Sequence, residues 1–333
     1  MDLIRITPVA FESLGVRSMS TFVETPDVKI LIDPGVALGL RLRLLPHPEE
    51  YEALRNSRQI LRKYARMADI LTVSHYHHDH FTPSFTDTTW LASSQREAEN
   101  LYRGKTLMVK DVRSSVNVSQ RRRGWIFQSF CRKIESQVIV ADAREFQYGD
   151  TKVRFSTPLP HGEDASEQGW VLATIVELPR EKLVHASDIQ GPMSDRALRF
   201  ILDERPTAVI VGGPPSYLSG LRVSEDSIKK GLENLAVIAR EIPLVIVDHH
   251  LLRDQGSLGT LSELSAVVKS SGHEVMTAAE HLGKPPRLLE ANRKELYRDK
   301  PPSRSFVKWT ELDKEKQRKI TPPLERKRTR KSK

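Results

Sequence analysis

Asp69-Ile70-Leu71-Thr72-Val73-Ser74-His75-Tyr76-His77-His78-Asp79-His80 decides how this chain is read. Its first half is a short apolar run of strand-forming residues, the pattern of a buried strand. The run empties directly into His75, and four of the chain's 11 histidines then fall close together with one carboxylate. In an extended chain alternate residues face the same way, so His75 and His77 converge on one point while Tyr76 faces away. Where the chain then turns toward a helix, Asp79 and His80 come round beside them and serve a second point a few ångströms off. Two such points suit two adjacent metal ions, which in dinuclear sites stand roughly 3.5–4 Å apart with a shared water. The single cysteine, Cys131, cannot form an internal disulfide or supply a thiolate zinc centre, so any metal is held by imidazole and carboxylate.

Outward from this stretch the pattern is that of a mixed α/β chain. Val9 to Leu14, Met19 to Thr25 and Val28 to Ile32 read as strands, the last two joined at Pro26-Asp27. Residues 48 to 67 carry apolar side chains at Tyr51, Leu54, Ile60, Leu61, Tyr64 and Met67 after an acidic start, which predicts a helix. Strands follow over 138–158, Trp170 to Leu178, Lys182 to Ala186, Ala208 to Val211 and Leu244 to Val247. Helices are expected at about 194–203, 224–240 and 259–271. Residues 110–135 fit neither period and read as a loop or short helix over the surface.

With 38% hydrophobic and 29% charged residues in 333, the composition is that of a globular protein. No apolar run approaches the roughly 18 residues that span a bilayer. The start MDLIRITPVAFESL lacks a basic segment followed by an apolar one, so a cytoplasmic location is expected. The net charge of +9 is a property of one end. Residues 284–333 hold 18 Lys and Arg against 7 Asp and Glu, net +11, leaving 34 against 36, net −2, for residues 1–283. The expected organisation is therefore a hydrolase domain over 1–283 and a basic, partly disordered C-terminal extension over 284–333, whose charge would attract nucleic acid.

The HxHxDH pattern resembles the metallo-β-lactamase superfamily. That resemblance implies a four-layer αββα sandwich, two mixed sheets face to face with helices outside, and it directs attention to four further places. Ile30-Leu31-Ile32-Asp33 matches an aspartate ending an early strand, which in the family supports the metal-binding loop. Pro160-His161-Gly162 matches a lone histidine after a strand. Leu183 to Asp188 matches an aspartate that bridges two metals. Leu244 to His250 supplies the last histidine, as either His249 or His250. Adjacent residues of an extended chain face apart, so only one of that pair is expected to ligate. Within the superfamily, SHYHHDHFTP, PLPHG and DHHLLRD together resemble a group of archaeal predicted metal-dependent hydrolases.

The resemblance implies that His75, His77 and His161 hold one ion, and that Asp79, His80 and His249 or His250 hold the other. Asp188 stands between them, and Asp33 supports the metal-binding loop rather than acting as a main ligand. Asp79 and Asp188 are the expected catalytic carboxylates. Such ligands suit Zn²⁺, with Fe²⁺ or Mn²⁺ as alternatives. Two divalent ions would make a bridging hydroxide available near neutral pH, which means hydrolysis. Expected substrates are a phosphodiester or other small anion, or a nucleic acid. A thioesterase or lactonase, and a non-catalytic nucleic-acid- or protein-binding module with a structural metal, are the alternatives. Arg121, Arg122, Arg123, Trp125, Tyr217 and Arg253 are the candidates for substrate binding, because arginines clamp phosphate bidentately. His47, His78, His185, His273 and His281 read as packing or surface residues.

Overall fold

The computed structural model describes residues 4–164 and 168–324. Two mixed sheets form its centre. The first contains β1 (Arg5–Phe11), β2 (Met19–Glu24), β3 (Lys29–Ile32), β4 (Ile70–Val73), β5 (Thr106–Val109) and β6 (Gln137–Val140), in that order. β1, β2 and β3 pair antiparallel, and β3 to β6 run parallel. The second sheet draws on β7 (Glu145–Tyr148) and β8 (Thr151–Phe155). After a small ribbon of β9 (Leu159–Pro160) and β10 (Trp170–Val171), it adds β11 (Thr174–Leu178), β12 (Glu181–Ser187), β13 (Ala208–Gly212), β14 (Leu244–Asp248) and β15 (Glu274–Met276). Its order is β15-β14-β13-β12-β11-β8-β7, parallel from β12 to β15.

The period-two alternation of strands explains why these sheets stack with helices outside. In β3, Ile30 and Ile32 enter a core shared with Val153, Val176, Ile210 and Ile246 of the other sheet. Leu31 faces the opposite way, into a layer with Leu54 and Leu61 of α1 (Pro48–Met67), Leu101 of α2 (Gln95–Tyr102) and Phe127 of α3 (Val118–Lys133). In the second sheet Val209 and Val245 face outward onto Ile201 of α4 (Asp195–Glu204), Leu235 of α5 (Glu225–Glu241) and Leu261 of α6 (Ser257–Val268). Three apolar layers separate four structural ones. This is the expected αββα sandwich. No helix among the described residues is long and apolar enough to cross a membrane.

α1 spans the predicted residues, with His47 accepting from the Glu49 N–H, Pro48 in the first turn and two acidic residues beside it. Residues 110–135 depart from expectation, because α3 is a helix of 16 residues. Its buried positions are Gln120, Gly124, Phe127, Gln128 and Cys131, a helical stripe built mostly from polar and small residues. Hydropathy alone does not reveal such a face.

The expectation of a partly disordered extension fails for residues 284–324. After α7 (Ala278–His281) they form α8 (Arg293–Asp299), α9 (Arg304–Thr310) and α10 (Lys314–Lys319). Phe306 and Trp309 are buried against the Tyr51 ring of α1, at 5.9 and 5.6 Å between centroids. Arg293 is fully buried and pairs with Glu50 at 2.8 Å. These helices have only six or seven residues, too few turns to print a legible apolar stripe. The terminal run Glu325 to Lys333, on which the nucleic-acid expectation rested, lies outside the described residues. If residues 284–324 belong to the fold, Phe306→Ala should lower stability by about 3–5 kcal/mol. Urea unfolding of the full chain measures this, and an unchanged midpoint would mark the segment as an appendage.

Candidate metal centre

The cluster forms where strand ends meet. Asp33 follows β3, Ser74 and His75 follow β4, Asp188 follows β12 and His249 follows β14. All four are ends of parallel strands, the usual place for a site in an open α/β sheet. Asp33 holds the base of the cluster. Its Oδ1 accepts the Ser74 N–H at 2.7 Å. Its Oδ2 accepts the Ser74 hydroxyl at 2.6 Å, the Ser187 hydroxyl at 3.0 Å and His80 Nδ1–H at 2.8 Å. Burial alone would raise the Asp33 pKa, but the bonds from His80 and Ser74 hold it below the usual carboxylate range. Burial opposes charge on His80 too, yet Asp33 raises its pKa.

With Nδ1 engaged, His80 turns Nε2 inward, 3.9 Å from Asp188 Oδ2. His75, His77, His161 and Asp188 offer donor atoms all within 4.8 Å of one another, and so do Asp79, His80 and His249. His75 Nε2 lies 3.2 Å from His77 Nδ1, and His161 Nε2 lies 2.8 Å from Asp188 Oδ2. Gly162 follows His161 at φ +99°, and a Cβ there would meet the Gln190 side chain at 2.9 Å. Asp188 is common to both sides, with His249 Nε2 at 3.4 Å and His250 Nε2 at 3.2 Å.

The residues fit divalent cations on two observations. Inside the cluster His80 Nε2 and Asp188 Oδ1 are buried with no hydrogen-bond partner among the described residues. Leaving such groups unpaired is costly, and a cation between them satisfies both. The protonation states agree. Burial, reinforced by neighbouring rings, pushes His75 and His77 well down, leaving neutral imidazoles with a lone pair to give. Burial works against ionised Asp79 and Asp188, but the surrounding histidines, with Arg253 beside Asp79, hold both far below the usual range.

Both His249 and His250 turn toward the cluster. The chain does not stay extended beyond β14. His249 takes a left-handed φ of +65° and opens a 3-10 turn over His249–Arg253, swinging both rings to the same side. The buried Asp248 carboxylate fixes this turn by accepting the N–H groups of Ser13, His249 and Ala278.

The two rings are held differently. His249 Nδ1–H donates to Glu12 Oε2 at 2.8 Å, which aims Nε2 at Asp79 and Asp188. Burial disfavours charge there, yet Glu12 and Asp188 raise the His249 pKa well above normal, so the position favours a cation. In the tautomer with its proton on Nε2, His250 donates to the Asp188 carboxylate at 3.2 Å. Its Nδ1 then accepts from Tyr217 Oη at 3.1 Å. Burial lowers the His250 pKa to about 4.

Glu12 escaped sequence reasoning. It is buried after β1, accepts from Arg253 Nε at 2.5 Å as well as from His249, and carries no local mark of its partners. Gln120 was also missed, with its side-chain nitrogen 3.4 Å from His77 Nε2. Of the expected substrate-binding residues, Arg253 is buried against Glu12, with Asp79 3.8 Å away. Tyr217 takes an N–H from Arg253 and lies under the Arg41 guanidinium, 4.6 Å from its ring centre. Arg123 is near enough to lower the pKa of His78, second only to burial as a cause. Arg121, Arg122 and Trp125 line a separate groove and are not brought to the cluster. His185 bonds the Met19 carbonyl and His78 packs on Phe81 and Phe85, in keeping with structural roles. His47, His273 and His281 lie against the carbonyls of Lys300, Ala239 and Ile6.

No family model matches the chain. The UPF0282 protein of Methanopyrus kandleri is 43% identical over 294 residues, covering 88% of this chain and 99% of that protein. The chain belongs to the UPF0282 family. A second UPF0282 protein, from Thermococcus sibiricus, is 42% identical over 298 residues, covering 89% of this chain and 94% of its own. Among solved structures, one described as a possible metal-dependent hydrolase from Veillonella parvula superposes with a TM-score of 0.48 at 13% identity, over 82% of this chain and 95% of that one.

Because Glu12 fixes the ring of His249, Glu12→Ala in this UPF0282 chain should weaken metal binding about 10- to 100-fold, as loss of a carboxylate behind a ligating histidine does. Competition with a chelating dye measures it, and unchanged affinity would remove Glu12 from the centre.

Proposed function

We propose that this protein is a hydrolase that uses two divalent metal ions on a phosphodiester or other small anionic substrate. His75, His77 and His161 would hold one ion and Asp79, His80 and His249 the other, with Asp188 between them. The observation that carries the reading is the sharing of Asp188, whose Oδ2 stands within 3.4 Å of a nitrogen from each of His161, His249 and His250. Zn²⁺ suits the imidazole-rich set, and Fe²⁺ or Mn²⁺ suits its carboxylates. Bound there, such ions supply an acidified water and a Lewis acid, the two requirements of hydrolysis at neutral pH.

The chain's own residues supply the rest. Arg253, Tyr217 and His250 form a directed relay in which the Arg253 N–H donates to the Tyr217 oxygen, the Tyr217 hydroxyl to His250 Nδ1, and His250 Nε2–H to Asp188. This fixes the His250 tautomer and leaves a neutral N–H beside the shared carboxylate, placed to orient Asp188 and to donate a hydrogen bond to charge developing on the substrate. Arg41, in the loop before α1 and over the Tyr217 ring, and Arg123, on α3 within the field of Asp79, form no ion pair among the described residues. Two such guanidinium groups favour an anionic substrate over a neutral lactone. Glu12 and Asp33 keep the two inner rings from rotating.

Protein supplemented with Zn²⁺ should carry about two ions per chain by elemental analysis, and less than about one would count against the paired site. Asp188→Ala should abolish both metal pairing and hydrolysis of bis(p-nitrophenyl) phosphate. His249→Ala should lose metal, whereas His250→Ala should keep it and lose about 10²-fold or more in turnover. Equal metal loss in both would make His250 a ligand. Turnover of a thioester with no turnover of the phosphodiester would overturn the substrate assignment.

A further inference from the structure

α3 carries a second basic feature. On the flank facing the β5–α3 connection, a groove of about 950 Å³ is lined by Arg113, Arg121, Arg122 and Arg132 with Val118 and Trp125. Arg17, Arg62, Arg154, Arg253 and Arg293 elsewhere in the fold each pair with a glutamate. The four groove arginines form no ion pair among the described residues. One carboxylate, Asp111, also lines the groove, and it is turned onto its own loop, accepting from the Arg113 N–H at 2.9 Å and the Ser114 hydroxyl at 3.0 Å. Unpaired positive charge is thus concentrated here although residues 1–283 as a whole are net −2.

Within the groove Trp125 is 64% exposed and Val118 83% exposed. A large aromatic surface left in water beside several guanidinium groups has little structural use, but it is the composition that receives unpaired bases on a phosphate backbone. The aromatic face stacks on a base whatever its sequence while the cations follow the phosphates. From Val118 to Arg132 the lining runs along about 21 Å of helix. We propose that this groove binds single-stranded nucleic acid, with Trp125 stacked on a base and Arg113, Arg121, Arg122 and Arg132 on the backbone. A duplex fits less well, since its bases are already stacked on one another. The inference rests on the surface of α3 and is independent of the metal chemistry. The two features still share one helix, because Gln120 reaches His77 from α3. A strand in the groove therefore lies about one helix diameter, roughly 10 Å, from the cluster.

Anisotropy of a short fluorescein-labelled oligouridylate, titrated with the full chain and checked on a gel for integrity, tests this directly. Trp125→Ala should weaken binding about 10-fold, and Trp125→Phe should recover most of the loss, which separates stacking from misfolding. Arg121→Ala/Arg122→Ala should flatten the dependence of log affinity on log salt by about 1.4, as removal of two phosphate contacts from a single strand requires. An absence of binding would overturn the proposal. So would binding unmoved by these variants but lost on trimming Glu325 to Lys333, since the terminus would then hold the strand. Equal competition by polyglutamate would also overturn it, in favour of a face for acidic proteins.

Discussion

One buried carboxylate joins the two halves of this molecule. Asp33, at the end of β3 in the first sheet, takes hydrogen bonds from both the backbone and side chain of Ser74, from His80, and from Ser187 at the end of β12 in the second sheet. An ionised group without solvent survives only when its lone pairs are filled, so the sheets must meet in one register for Asp33 to be tolerated at all. That register places His75, His161 and Asp188 within reach of one another. Stability and site geometry are therefore set by the same contacts.

What was legible in the sequence was whatever is local. HxHxDH declares its candidate ligands because four of its six positions reach the cluster and an apolar strand leads into them. Asp33, His161 and Asp188 were legible only once that motif was set beside a resemblance. Glu12 was not, because its partner His249 lies 237 residues away and nothing in Phe11-Glu12-Ser13 distinguishes it from a surface turn. That His249 and His250 face the same side was not legible for a subtler reason. A left-handed φ at a histidine is imposed by surroundings, here the bonds to Asp248 and Glu12, and a single sequence does not show those. α3 hid behind Gln120, Gly124 and Gln128, residues that fill its inner face without raising its hydropathy. Gly124 is required there, since a Cβ would stand 2.5 Å from the Tyr76 ring.

The electrostatics of the centre point one way. Neutral histidines, ionised aspartates and a histidine whose pKa is raised by flanking carboxylates crowd a largely buried volume. Without positive charge such an arrangement resists folding, and with it each member is satisfied.

The way the last helices pack has a consequence for biosynthesis. Arg293 meets Glu50 across 243 residues of chain, and Phe306 and Trp309 close over Tyr51 of α1. A polypeptide leaving the ribosome from its N-terminus exposes the outer side of α1 until the segment 243 residues further on has been made. Glu12 likewise waits for His249. The outer side of α1 is therefore open to aggregation while those residues are made, and a chain cut before Arg293 would keep its clustered histidines but leave its first helix uncovered, a ready substrate for proteolysis.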